Sequence, residues 1–291
     1  MIIMAEHAGF CFGVKRAVDA ISESLKSHRE VWTIGLPIHN PQEVSRLESL
    51  GLRVAENDSE IPDGAKVLIR AHGEPLGVIE RLKRRNIHVE DMTCPFVRKA
   101  QEKAAMLSRE GYYVVLLGDK NHPEIKGITG HVEDVRNSEV IADEKEADNV
   151  QYHAKTALIS QTTQREERLE RIAGILVGKS SELRVCNTIC KATAQRQEAV
   201  RELVRNNHVD GVVLIGGKSS ANTGKLRDIL ESEGVNVLWV EDEEETEQNS
   251  EWFNDKIMVG IAAGASTPEW LIDKIKNIIA AKQEAQGVLI H

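Results

Sequence analysis

No stretch of this chain approaches the roughly 20 consecutive apolar residues of a membrane helix. Its start, Met1-Ile2-Ile3-Met4-Ala5-Glu6-His7, meets an acid and a histidine after a very short apolar run, so neither a span nor a secretory leader is expected. Cysteine is sparse as well: 4 in 291 residues, far below a disulfide scaffold. The expectation is a soluble, cytoplasmic protein in a reducing compartment, where a thiol serves as ligand or nucleophile. An excess of positive charge is also missing. The net charge of −9 favours neither nucleic acid nor an anionic membrane as a partner, yet it leaves room for a local pocket that takes an anionic small molecule.

Common motifs are absent too. There is no CxxC; Cys186 and Cys190, enclosing three residues, are the only near pair, which argues against the usual zinc sites. No GxGxxG fingerprint suggests direct use of NAD(P)H, and Gly216-Gly217-Lys218-Ser219 lacks the rest of a phosphate loop, so an ATPase is not indicated. Hydrophobic residues at 41%, charged residues at 29% and only 7 prolines exclude disorder and fibrous repeats. The length allows two or three domains of about 100 residues.

What is present is an alternation of strands and helices with short loops. Ile2 to Ala5, Val31 to Ile34, Ala65 to Ile69, Ile87 to Glu90, Tyr112 to Leu117, Val140-Ile141, Thr156 to Ile159, Val209 to Ile215, Val235 to Val240 and Met258 to Ala262 read as strands. Between them Val14, Ala17, Val18, Ile21 and Leu25, or Val97, Ala100, Ala104 and Leu107, recur at helical spacing. Gln42 to Ser49, Leu76 to Arg84, Thr223 to Ser232 and Glu269 to Ala281 are further predicted helices. The pattern predicts an α/β fold. The acidic run Asp242 to Glu247 reads as a solvated face.

Cys11, Cys94 and Cys190 stand 83 and 96 residues apart, each just ahead of a predicted helix. A helix N-terminus stabilises a thiolate. Three such thiolates meeting at one point would suit iron and sulfide; a four-iron cluster usually takes four Cys, so three would leave one iron open for Lewis-acid chemistry and electron delivery. The alternative is three small buried residues filling core positions. His39, His72 and His122 lie in Gly/Pro-containing loops, where imidazoles can hold an anion. Glu124 leaves a very apolar strand, where partial burial would raise its pKa and suit proton donation with Thr162 as relay, unless it merely caps the next helix. Ser220, Asn222 and Ser266 are small donors at strand exits, fit for phosphate oxygens and equally for helix capping.

Taken together, Gly9-Phe10-Cys11-Phe12-Gly13-Val14, Ile38-His39-Asn40, Ala71-His72-Gly73, Thr93-Cys94-Pro95, His122-Pro123-Glu124, Gln161-Thr162-Thr163, Ile189-Cys190, Ala192-Thr193, Arg196-Gln197-Glu198-Ala199-Val200, Ser220-Ala221-Asn222 and Ala263-Gly264-Ala265-Ser266 resemble the 4-hydroxy-3-methylbut-2-enyl diphosphate reductase (LytB) family. The resemblance implies three similar α/β/α sandwich domains with mostly parallel sheets in pseudo-threefold arrangement around a central 4Fe-4S cluster. The domains would span 9–95, 96–190 and 191–281, with 1–8 and 282–291 as terminal segments. Cys11, Cys94 and Cys190 would ligate the cluster. His39, His72, His122, Thr162, Ser220, Asn222 and Ser266 would bind the substrate, and Glu124, Thr162 and His122 would be catalytic. The implied reaction is reductive dehydroxylation to isopentenyl and dimethylallyl diphosphate, the last step of the methylerythritol phosphate pathway, with reduced ferredoxin or flavodoxin as donor. Ala221 and Gly224 depart from a serine and an asparagine in some relatives, and Cys186 matches no implied ligand, so it reads as structural. Competing readings are a non-redox iron-sulfur hydro-lyase and a non-catalytic small-molecule-binding α/β protein.

Overall fold

The computed structural model describes residues 1–285, apart from the side chains of Ala221 and Ala285; the end of the expected terminal segment 282–291 and the departure at the Ala221 side chain lie outside the described residues. In chain order the strands are β1 (Ile2–Met4), β2 (Val31–Ile34), β3 (Leu52–Ala55), β4 (Lys66–Ile69), β5 (His88–Asp91), β6 (Tyr113–Leu117), β7 (Ser138–Ile141), β8 (His153–Ser160), β9 (Ser180–Cys186), β10 (Gly211–Ile215), β11 (Val237–Val240) and β12 (Val259–Ala263). The helices are α1 (Phe12–Ser27), α2 (Pro41–Ser49), α3 (Leu76–Arg84), α4 (Pro95–Arg109), α5 (Pro123–Thr129), α6 (Glu144–Asn149), α7 (Glu166–Val177), α8 (Lys191–Asn207), α9 (Ala221–Ser232), α10 (Glu243–Gln248) and α11 (Glu269–Ala285).

The strands form three four-stranded sheets, and every pairing within them is parallel. One compact unit, Arg16–Pro37 with Glu48–Cys190, contains two of them, ordered β3-β2-β4-β5 and β7-β6-β8-β9. The other unit, Met1–Lys15 with Ile38–Leu47 and the chain from Lys191 on, contains the third, ordered β1-β12-β10-β11.

Central strands explain the long apolar runs. In β6, Val114 and Leu116 face Ala100, Ala104 and Leu107 of α4 with Ile125 and Ile128 of α5, while Val115 and Leu117 face Leu169, Ile172 and Leu176 of α7. Alternate side chains therefore enter two different cores, as a strand covered on both faces requires. In the other unit β10 does the same: Val213 and Ile215 pack with Leu271, Ile275 and Ile279 of α11, and Val212 and Leu214 with Val200 and Leu203 of α8 and Leu226 and Leu230 of α9.

The structure adds elements the periodicity did not reveal. β3 and β9 are edge strands; β3 is only four residues long with Arg53 exposed in it, and β9 leaves much of its length exposed, so neither carries a continuous apolar signature. β1 is likewise an edge strand, beside β12, with Met4 51% exposed. The loop expected after β6 turns helical at Pro123, which occupies the first helical position where its missing N–H is not needed. Part of the acidic run is α10, capped by the Asp242 side chain, which accepts from Glu245 N–H; acids in a first turn suit the helix dipole.

Candidate active site

Within the larger unit, the exits of β4, β5, β6, β8 and β9 carry the residues singled out by sequence. Cys94 is the N-cap of α4, followed by Pro95 in the first turn. Its C=O accepts from Arg98 N–H at 2.8 Å, and its own N–H donates to Ala71 C=O at 3.0 Å. The cysteine loop is thereby tied to the loop of His72. Ahead of it, Thr93 N–H and hydroxyl both donate to Asp91 Oδ1, at 2.8 and 2.5 Å, and Arg98 pairs with Oδ2 at 2.9 Å. Burial pushes the Asp91 carboxyl up, but these bonds prevail and hold it below the usual carboxylate range.

His122 is the N-cap of α5, where its Nδ1 accepts from Glu124 N–H at 3.2 Å. An accepting Nδ1 leaves Nε2 as the ring's N–H donor. The His72 and His122 rings meet edge to face with centroids 5.3 Å apart. Glu124 is 2% exposed. Both its oxygens are held by one residue: Thr162 N–H donates to Oε1 at 2.6 Å and the Thr162 hydroxyl to Oε2 at 2.8 Å. Thr162 C=O in turn accepts from Cys190 N–H at 2.8 Å. An acid, a hydroxyl and a cysteine are thus joined in series, immediately before α8.

In the other unit, Cys11 takes the N-cap position of α1: its C=O accepts from Lys15 N–H at 2.8 Å, and its N–H donates to Ala265 C=O at 3.1 Å, beside Ser266. Gly9 has φ +97°, a left-handed turn that suits glycine. The His39 carbonyl stands so close to Gly217 that a Cβ there would lie 2.7 Å from it. Ser220 caps α9 by accepting from Thr223 N–H at 3.3 Å. Asn222 is 8% exposed, yet among the described residues neither atom of its side-chain amide has a hydrogen-bond partner. Such a buried amide is costly unless something else satisfies it, which fits a ligand with acceptor oxygens. Ser266 is half-buried in the loop leaving β12.

All four cysteines carry thiols and are half-exposed. Three of them stand directly before a helix, where N–H groups and the dipole favour thiolate; the donor set of Cys11, Cys94 and Cys190 fits iron and sulfide. Cys186 ends the edge strand β9 and packs on the core under α4, and burial pushes its thiol up, against a ligand role.

Sequence reasoning gave no role to several buried polar residues that shape these loops, although Arg196 lies in one of the motifs quoted above. Arg196 of α8 donates to Gly9 C=O at 2.8 Å and to Ala192 C=O at 3.1 Å. Gln101 of α4 presses against the turn after His72, where a Cβ on Gly73 would lie 2.3 Å from its Nε2. A polar residue on the apolar face of a helix was the available signal in both.

Among the described residues no helix is long and apolar enough to cross a membrane. Comparison with known proteins adds the relatives. The family model described as LytB protein matches residues 2–280. A 4-hydroxy-3-methylbut-2-enyl diphosphate reductase of Aquifex aeolicus is 43% identical over 289 residues, covering 99% of this chain and 98% of its own. One from Campylobacter jejuni subsp. doylei is 41% identical over 276 residues, covering 94% and 96%. A solved structure of (E)-4-hydroxy-3-methyl-but-2-enyl diphosphate reductase, described as the terminal enzyme of the non-mevalonate pathway, aligns with TM-score 0.74 at 42% identity, covering 96% of this chain and 99% of that one. The E-1-hydroxy-2-methyl-but-2-enyl-4-diphosphate reductase of Plasmodium falciparum aligns with TM-score 0.86 at 25% identity, covering 96% and 87%. With a family model matching nearly its whole length, and relatives above 40% identity that cover it almost end to end, this chain belongs to the LytB protein family.

Proposed function

We propose that the chain reduces 4-hydroxy-3-methylbut-2-enyl diphosphate to isopentenyl and dimethylallyl diphosphate, the last step of the methylerythritol phosphate pathway. The allylic C–O bond breaks, two electrons and two protons enter, and water leaves. The observation that carries the reading is the buried Glu124–Thr162 pair, joined through the Thr162 carbonyl to the Cys190 backbone. Cys11, Cys94 and Cys190, each directly ahead of a helix, would hold a 4Fe-4S cluster, and the chain would divide into three domains near 9–95, 96–190 and 191–281. That cluster supplies electrons and, at the iron without a protein thiolate, Lewis acidity.

The chain's own residues do the rest. Oε1 of Glu124 faces a backbone N–H, which cannot reverse, so it stays an acceptor; Oε2 faces the Thr162 hydroxyl, which can rotate and accept instead. A proton on Glu124 therefore belongs on Oε2 and leaves by way of Thr162, toward the departing hydroxyl group. His122, its Nδ1 committed to Glu124 N–H, offers Nε2–H to the substrate. His39, His72, Ser220, Asn222 and Ser266 complete the grip on the diphosphate. The electron donor is a reduced ferredoxin or flavodoxin, and the enzyme works in the cytoplasm.

The test is anaerobic incubation of the purified, cluster-loaded chain with the hydroxylated allylic diphosphate, with and without a chemical reductant. Formation of both five-carbon diphosphates only with reductant is expected. Product that forms equally without reductant would make the protein a hydro-lyase, and no product in either case would return it to the binding proteins.

A further inference from the structure

The turn that carries His72 is closed by an ion pair that the reaction above does not use. Arg70 follows β4 and Glu74 stands four residues on; Nε and Nη2 of the guanidinium each lie 3.2 Å from Glu74 Oε1. Gly73 N–H donates to Arg70 C=O at 2.9 Å, so His72 sits in a turn closed once by backbone and once by side chains. The two side chains are only 12% and 9% exposed. Burial draws the Arg70 guanidinium down and pushes the Glu74 carboxyl up, each against the pull of its partner. A pair in which desolvation prevails on both sides is a poor stabiliser, and apolar residues of similar size would serve stability as well. Its presence calls for another reason.

That reason lies in what the pair touches. Arg70 Nη1 donates to Leu36 C=O at 3.3 Å, in the loop leaving β2 on which His39 follows three residues later. Gly35 in that loop has φ +65°, and a Cβ on it would stand 2.5 Å from Nη1, so the loop is shaped around the guanidinium. On the other side, Arg70 and Glu74 line a cavity of about 230 Å³ together with Pro123 and Lys126 of α5. The N-cap of α5 is His122 and its first turn contains Glu124.

Building on the proposed reaction, we infer that the buried Arg70–Glu74 pair is a positioning device: it sets where His72 stands relative to His122, and so tunes the grip on a diphosphate. Arg70 bonds to Glu74 and to the loop leaving β2, so the pair acts through the turn that carries His72. A lysine at position 70 would keep a charge for Glu74 but lose the planar fork that reaches Glu74 and Leu36 at once.

The test compares the full cluster-loaded chain with the double variant Arg70→Met, Glu74→Leu and with Arg70→Lys. Readouts are melting temperature, iron content, KM and kcat, calorimetric binding of inorganic diphosphate, and ring signals of labelled histidines by NMR. The double variant is expected to melt within a few degrees of the parent and keep its iron. Its KM and its dissociation constant for diphosphate should rise about ten- to a hundredfold, in the range of an ångström-scale misplacement, with a smaller loss in kcat and shifted His72 and His122 ring signals. Arg70→Lys should recover little of that affinity. Unchanged diphosphate binding and unchanged ring signals would overturn the inference, as would a collapse in melting temperature with normal affinity in the folded fraction. If the parent neither binds diphosphate nor turns over, the proposed reaction fails, while the ring signals still decide the role of the pair.

Discussion

Replacing Glu124 by Gln removes a transferable proton while leaving the surroundings almost intact. Glutamine keeps an oxygen for Thr162 N–H, now 2.6 Å from Oε1, and its new N–H group can donate to the Thr162 oxygen that presently donates to Oε2 at 2.8 Å. Both contacts survive, one of them reversed. Exchanging a buried charge-assisted bond for a neutral one costs about 1 kcal/mol, and burying an amide is easier than burying a carboxylate, so the fold and the iron content should be nearly unchanged. Turnover is another matter. Loss of a positioned general acid lowers rates by roughly 10²–10⁴-fold, or about 3–5 kcal/mol in the barrier. The assay is anaerobic steady-state turnover with a chemical reductant, run beside iron analysis and thermal melting of the same preparation. A Glu124→Gln protein with parental iron content and a kcat within about threefold of the parent would remove Glu124 from the proton path and with it the reasoning from the Thr162 contacts.

Other changes probe separate parts of the account. Thr162→Val deletes only the hydroxyl bond to Glu124; a bond to a charged group contributes about 1.5–3 kcal/mol, so kcat should fall roughly ten- to a hundredfold by the same assay, and Thr162→Ser should restore most of it. Cys94→Ser puts a good capping residue at the start of α4, so circular dichroism should show an intact fold while iron and sulfide analysis shows the cluster lost. Gly217→Ala drives a Cβ to within 2.7 Å of the His39 carbonyl; such overpacking costs about 1–3 kcal/mol, read as a lower melting temperature and a raised KM. Asp91 titrates below its ordinary value, so its contribution to stability is full above the unfolded carboxyl's pKa and is lost as pH falls through the folded one. Melting temperature should therefore drop less steeply on acidification below about pH 4 in Asp91→Asn than in the parent.

The parts of the fold that sequence made visible are those where local pattern and tertiary environment agree. Tyr113–Leu117 had to be a central strand because both its faces are covered, and the helices after Cys11 and Cys94 announced themselves by one apolar face each. β9 stayed hidden because an edge strand with residues such as Glu182 and Arg184 facing solvent looks like a loop. α5 stayed hidden because Pro123 reads as a break until its place at the first helical position is known. In the site, the histidines and Glu124 could be picked out by their loops, since a polar residue in a Gly/Pro-rich strand exit has few structural duties. Arg70, Glu74 and Arg196 could not. Their meaning depends on partners such as Leu36 and Gly9, the latter 187 residues from Arg196, and a buried charge is unremarkable in sequence until its partner is in view.

The central claim is that Cys11, Cys94 and Cys190 hold a four-iron cluster with one iron left to the substrate. Anaerobic iron and sulfide analysis combined with Mössbauer spectra, recorded with and without the hydroxylated allylic diphosphate, tests it most directly. The account predicts about four iron and four sulfide per chain, with one iron changing its spectrum when the diphosphate is added. A chain that takes up no cluster, or one whose irons are all indifferent to the diphosphate, would contradict it.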